Sequence, residues 1–306
     1  MIKNLNSLLN DQTISEVPFV LKGLVKASIG MLIAAPSAGK SHLALSIAIE
    51  HASSAVTLGL SCAETPRKVL IVSSEDSSAV LRERMVEKLK SFSPDIQNEL
   101  LSNLLFLTEQ TPLIAPPEAN KDEHDAASLY VNNLVQSAVD NDVDLIIVDT
   151  VTEAVGSCDE VKHDKHIKAG FQAIARRTGA AILLVHHVNK NEIRGEQEVT
   201  MASGAGLSSV MRLVKFLITI KAEKNERKVR FLKSNYLPQS EEREFDIEFV
   251  DGVLSRKGVL SFAPPKKQKA EKPRIAKAIQ EEPEVLSITP KPKRKNESEN
   301  DLRDVL

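Results

Sequence analysis

The sequence predicts an α/β fold, a mostly parallel sheet covered by helices on both faces, and three observations carry that reading. Apolar β-type runs alternate with helical stretches along most of the chain. The first clear run, Gly30-Met31-Leu32-Ile33, passes through a short loop straight into a helix. The last runs follow one another with no helix between them, which reads as a small antiparallel addition at one sheet edge.

Taken in order, strands are expected at residues 30–35, 68–73, 103–108, 144–149, 180–186 and 216–221. Helices are expected between them at 42–51, 78–91, 124–141 and 163–178. In the first helix Leu43, Ala44, Ile47 and Ala48 recur at helical spacing and mark its buried face. The antiparallel addition comprises 228–235 and 244–250, then Gly252 and Val253-Leu254. The core is expected to stop near residue 262.

From Ala263 the chain is rich in Pro, Lys and Glu and nearly without aromatics. Such a segment cannot bury enough apolar surface to offset ordering, so a disordered tail is expected over 263–306. Its 11 Lys/Arg and 8 Asp/Glu leave it near +3 and the rest of the chain near −5. The first 17 residues are polar with a few leucines and read as an arm that packs on a neighbouring subunit. The folded core is then 18–262.

A net charge of −2 gives no overall basic signature, so any nucleic-acid contact has to come from a local patch. Cys62 and Cys158 make neither a disulfide framework nor a metal site of their own, which fits a reducing cytoplasm. No amino-terminal run resembles a signal peptide and no apolar stretch approaches a membrane span. A cytoplasmic protein with no membrane partner is the expectation.

The loop after the first strand reads AAPSAGKS, residues 34–41, a Walker A sequence in all but its first position, where Ala34 replaces Gly. Backbone N–H groups of Ala35, Pro36's neighbours Ser37, Ala38 and Gly39, and the first helical residues through His42 are expected to wrap phosphates. Lys40 places a charge on the β- and γ-phosphates and the Ser41 hydroxyl ligates Mg2+. The helix that follows directs its positive dipole end at the anion. ATP and Mg2+ are therefore the expected cofactors.

Leu145-Ile146-Ile147-Val148-Asp149 reads as a Walker B strand, with Asp149 expected to hold the Mg2+ directly or through water. Glu75, in Ser73-Ser74-Glu75-Asp76, ends the strand after the phosphate loop and is expected to polarise the attacking water. RecA-type motors carry the base there, whereas AAA+ proteins usually place it beside the Walker B acid. Here Thr150 follows Asp149 and cannot be a base. A further strand ends in His186-His187, whose side chains must diverge, and His187 is the expected sensor of the γ-phosphate. Metal binding by these histidines has no third ligand placed by sequence. His163 and His166 have ligand spacing on a helix but are expected on a solvated face.

Assembled, these residues resemble the RepA-type replicative helicases of plasmids, small relatives of the DnaB motor. The resemblance covers roughly residues 18–237 and rests on AAPSAGKSHLALSIA, VLIVSSEDSSAVLRERM, DLIIVDT, ILLVHHVNK, MASGAGLSSVMRLVKFLITI and the late KSNY. It implies a ring-shaped homo-oligomer, normally a hexamer, with ATP between neighbours and single-stranded DNA threaded through the centre. It implies a cation supplied in trans, for which Lys233, Arg212 and Arg194 are candidates. It also implies that the loop 189–203 projects toward the channel, with Lys190 and Arg194 available for phosphates among Glu192, Glu196 and Glu198. Replication proteins are candidate partners of the tail. A RecA-like recombination or repair ATPase, and a KaiC-like regulatory ATPase acting on a protein, remain the alternatives to a helicase.

Overall fold

The computed structural model describes residues 4–11, 17–108, 111–187, 207, 210–211, 214–223, 226–238 and 240–258. The tail and the loop 189–203 lie outside them. Strands β1 (Phe19–Leu21) and β2 (Leu24–Val25) form a short hairpin of their own. The main sheet is built from β3 (Ile29–Ala34), β4 (Lys68–Ser73), β5 (Leu104–Leu107), β6 (Val143–Asp149), β7 (Ala181–His187), β8 (Phe216–Glu223), β9 (Glu226–Ser234), β10 (Glu244–Val250) and β11 (Val253–Arg256). Their order across the sheet is β11-β10-β9-β8-β3-β7-β6-β4-β5. Strands β8, β3, β7, β6, β4 and β5 run parallel, and β9, β10 and β11 extend the sheet as antiparallel hairpins.

The helices are α1 (Leu5–Leu9), α2 (Lys40–Ala52), α3 (Ser78–Leu89), α4 (Pro94–Asn103), α5 (Lys121–Asp140), α6 (Val151–Ala154) and α7 (Asp164–Thr178). Alternation along each central strand divides the core into two layers. Leu32, Leu145, Ile147, Leu183 and Val185 pack with Leu43 and Ile47 of α2, while Met31, Ile33, Ile146, Val148 and Leu184 pack with Phe171 and Ile174 of α7. Burial on both faces explains why these strands read as unbroken apolar runs. Each fully buried Leu or Ile contributes roughly 1.5–3 kcal/mol relative to exposure.

The architecture agrees with the expected α/β class, including the antiparallel addition, and the differences are local. Helix α2 begins at Lys40 rather than 42, because the phosphate loop closes directly into the first turn. Helix α4 was not anticipated, although Ser93 caps it and Pro94 occupies its first turn.

A buried polar network ties the far ends of two site-bearing elements together. At the carboxyl end of α2, His51 Nδ1 lies 2.9 Å from Ser61 Oγ and His51 Nε2 lies 3.0 Å from Asp144 Oδ2 at the start of β6. Lys26 completes an ion pair with the same carboxylate. Burial pushes the Asp144 carboxyl up, but the hydrogen bonds and charges of His51 and Lys26 outweigh it and hold it down at about 2. One residue earlier, Glu50 gathers the backbone N–H groups of Thr57, Leu58, Gly59, Leu60 and Ser61 and so fixes the loop that carries Ser61. The helix and strand that present Ser41 and Asp149 are thus anchored at their opposite ends.

Candidate active site

Strands β3, β4, β6 and β7 end side by side, with Ala34 paired to His187 and Ser73 to Asp149. This carboxyl end of a parallel sheet is where ligand crevices form in α/β proteins. The loop 35–39 turns there through Ser37 at φ 63° and Gly39 at φ 103°, the latter a conformation that a β-carbon would strain. Gly39 is also the N-cap of α2 and provides no side-chain cap, so the first-turn N–H groups stay available to an anion. Ala34 is fully buried at the end of β3 and has no positive φ, which explains how Ala stands where a Walker loop has Gly.

Lys40 is buried, with Nζ donating to the Ala35 carbonyl at 3.2 Å across the loop. Burial lowers its pKa, and the charges of Asp149 and Glu75 act against that. The Ser41 hydroxyl donates to Asp149, whose carboxyl is pushed up by burial and by the neighbouring Glu75 and Asp76, against Ser41 and Lys40. Asp149 Oδ1 is buried with no hydrogen-bond partner among the described residues. An orphaned carboxylate oxygen beside a hydroxyl is an all-oxygen donor set, and a hard divalent cation such as Mg2+ fits it.

Glu75 lies two residues beyond β4 and meets β6 and β7. Its Oε1 accepts from Thr150 Oγ1 at 2.9 Å and lies 3.3 Å from His187 Nε2. It does not cap the next helix, because Ser77 does, accepting from the Val80 N–H. Asp76 is engaged elsewhere, in an ion pair with Arg84. His187 shares the strand face of Leu183 and Val185, the α2 side, whereas His186 points to the opposite face, where its Nε2 lies 3.6 Å from Glu160.

Beyond Ser41, the His42 ring meets Phe249 edge-on with centroids 5.2 Å apart, and its Nδ1 lies 3.3 Å from Lys88 Nζ. Burial lowers the His42 pKa to about 4, helped by Lys88, Arg84 and Arg227 against Asp76, so the ring is neutral near pH 7. Lys88 is itself buried and donates to the Gly252 carbonyl in the β10–β11 turn, and burial lowers its pKa to about 8.

The fold therefore brings Ala35, Pro36, Ser37, Ala38, Gly39, Lys40, Ser41, His42, Glu75, Asp149 and His187 to one end of the sheet. Lys233 is not among them. On β9 it pairs with Leu217, at the end of the sheet opposite the phosphate loop, where its Nζ donates to the Met211 carbonyl at 3.5 Å. Arg212, Lys190 and Arg194 lie outside the described residues.

One expectation is corrected. His163 is buried rather than on a solvated face: it is the N-cap residue of α7, its Nδ1 accepts from the Asp159 N–H at 3.2 Å, and its Nε2 lies 3.1 Å from Glu118. Helical spacing could not show this, because the ring turns back into the preceding loop. His166 is exposed, with Nε2 2.9 Å from the Ala115 carbonyl. Among the described residues no group of three His, Cys, Asp or Glu could hold a metal ion. Nor is any described helix long and apolar enough to cross a membrane.

The sequence reading missed Thr150, Arg84, Lys88 and Phe249. Only Thr150 had a local signal, its place directly after Asp149.

The arrangement can cradle a phosphate chain on backbone N–H groups, hold a divalent cation between a hydroxyl and a carboxylate, and present a second carboxylate to a water. A family model described as an AAA domain matches residues 3–192. Among solved structures, a KaiC-like protein from the hyperthermophilic archaeon Pyrococcus horikoshii OT3 shares the fold. It is 13% identical, with 79% of this chain and 96% of that chain covered and a TM-score of 0.53. A RadB recombinase is 14% identical over 76% of this chain and 91% of that one, with a TM-score of 0.47. No curated protein matches. The fold is RecA-like.

Proposed function

The chain belongs to the AAA-domain family, and from that premise we propose that it hydrolyses ATP at an interface between its own copies. The work it drives is translocation on single-stranded DNA. One observation carries the ATPase reading: Glu75 stands two residues past the end of β4, the strand next to the Walker B strand, beside Lys40 and Asp149, held by Thr150 and His187 rather than used as a cap.

In this reading the backbone N–H groups of 35 and 37–42 together with Lys40 bind the phosphates, and Glu75 orients the attacking water and draws its proton. His187 reads the γ-phosphate from the end of β7. Ser41 and Asp149 would hold Mg2+, which when bound neutralises charge on the β- and γ-phosphate oxygens. Burial strengthens each of these interactions relative to water.

Support for an interface comes from how the cations near the site are engaged among the described residues. Arg84 is paired with Asp76, Lys88 is turned to Gly252 and His42, and Lys233 is at the far end of the sheet. A second copy that presents its Lys233 end to this crevice would supply a further cation to the departing phosphate. Support for DNA as the track comes from the set of motifs shared with RepA-type helicases, and a six-membered ring is the corresponding assembly. The acidic balance of the core, near −5, favours a second reading, a regulatory ATPase acting on a protein partner.

ATPase assays with and without single-stranded DNA, paired with anisotropy of a labelled oligonucleotide and a non-hydrolysable ATP analogue, separate the two. DNA stimulation and nucleotide-dependent binding are expected. ATP turnover without any DNA binding at low salt would transfer the reading to the regulatory ATPase.

A further inference from the structure

We propose that Thr150 is a positioning residue for hydrolysis, whose hydroxyl holds one oxygen of the Glu75 carboxylate and so aims the other; this rests on the ATPase reading above. The side chain is buried, 1% exposed, and its hydroxyl donates to Glu75 Oε1 at 2.9 Å. A threonine hydroxyl carries a single proton, so this bond uses its whole donor capacity.

The backbone shows that this use is selective. Thr150 is the N-cap residue of α6, and at that position a threonine oxygen ordinarily accepts from an N–H of the first turn. Here it makes no such bond. Helix α6 goes without its cap and the hydroxyl is directed at a residue 75 positions away in sequence. A local rule is broken where breaking it serves a neighbouring carboxylate.

Sheet register makes the meeting possible. Ser73 pairs with Asp149, and the Ser74 N–H donates to the Asp149 carbonyl at 2.9 Å, which holds the two chain exits together just past the last strand pair. Glu75 and Thr150 follow directly. Thr150 and His187 both address Oε1, on the side of β6 and β7. With Oε1 held there, Oε2 is the oxygen left to take the proton from water in the ATPase reading.

A Thr150→Val variant keeps the shape and loses the donor, while Thr150→Ser keeps the donor and loses the methyl. Steady-state ATPase, with nucleotide affinity measured separately, reads the difference. Thr150→Val is expected to lower kcat about tenfold or more, the worth of one hydrogen bond to a charged group. KM for ATP should be nearly unchanged. Thr150→Ser should return kcat to within about threefold of wild type. Wild-type kcat in Thr150→Val, or a Ser variant that behaves like Val, overturns the proposal. Glu75→Gln run alongside keeps the two readings apart. If Glu75→Gln is inactive while Thr150→Val is normal, only the positioning role falls; if Glu75→Gln turns over normally, the assignment of the base falls and takes this role with it.

Discussion

Replacing Glu75 by Gln changes one property of the site and leaves the others in place. The side chain keeps its length, and its amide oxygen can still accept from Thr150, now 2.9 Å away, so the local packing has no reason to rearrange. The phosphate contacts of residues 35–42 are untouched, as is the Ser41–Asp149 pair. Removing the Glu75 charge also removes one of the influences that push the Asp149 carboxyl up, so cation binding is not weakened by that route. What disappears is the ability to take a proton. A general base supplies about 10²- to 10⁴-fold, or roughly 3–5 kcal/mol of barrier. Glu75→Gln should therefore bind Mg-ATP near wild-type affinity and turn over two to four orders of magnitude more slowly, trapping the ATP-bound oligomer.

Asp76 is the control, because its carboxylate is committed to Arg84 and so is badly placed to act as a base. Equilibrium binding of a fluorescent ATP analogue and phosphate release under single-turnover conditions measure the two quantities independently. The reasoning is refuted if Asp76→Asn is the inactive variant and Glu75→Gln turns over normally.

Lys40→Ala should lose orders of magnitude in hydrolysis while its melting curve stays cooperative, since the hydrogen bond Lys40 makes among the described residues goes to the loop carbonyl of Ala35; wild-type turnover would remove the site assignment. Lys233→Ala should bind nucleotide but hydrolyse it slowly, and mixing it with Lys40→Ala subunits should recover activity at hybrid interfaces. A rate per subunit that stays constant down to a demonstrated monomer excludes the interface. Double substitution of Lys190 and Arg194 by Ala should abolish DNA stimulation and keep basal hydrolysis, and wild-type DNA affinity should fall with salt by a slope of about 0.7 per phosphate contact. Asp144→Asn should destabilise the fold by on the order of 2 kcal/mol at pH 7. The folded carboxyl is held at about 2 against an ordinary 3.8, so its contribution is complete above about pH 4 and is lost as pH falls through 2. Urea melts across that range check it, and acid profiles of variant and wild type that superimpose would contradict it.

How much of this could be read from sequence depends on how far apart the cooperating residues lie. The phosphate loop was legible because its strand, turn and helix are contiguous, and every requirement falls on neighbouring residues. Asp149 and Glu75 were legible one at a time, each as an acid at the end of an apolar run. Their companions were not. Arg84 reaches back to Asp76 past the first two turns of α3, Lys88 meets His42 and Gly252 from two other elements, and neither meeting leaves a periodic trace. Short elements also escaped, since β1 and β2 span three and two residues and are too brief to show alternation.

Thr150 marks the boundary between the two kinds of knowledge. Its identity excluded an adjacent base at once, because a hydroxyl cannot do a carboxylate's work, and that exclusion pointed to Glu75. Its contribution, however, exists only because β4 and β6 are neighbours in register, with Ser73 opposite Asp149. Strand order in a parallel sheet is not encoded in the spacing of apolar residues along any one strand, and β6 could have been placed beside β5 with the same local pattern. Had it been, Glu75 would have no hydroxyl beside it and Asp149 no second carboxylate. The chemistry of this site is thus a property of strand adjacency, and substitutions in the buried faces of β4 and β6 that shift their register by one residue should silence it without touching a single residue of the crevice.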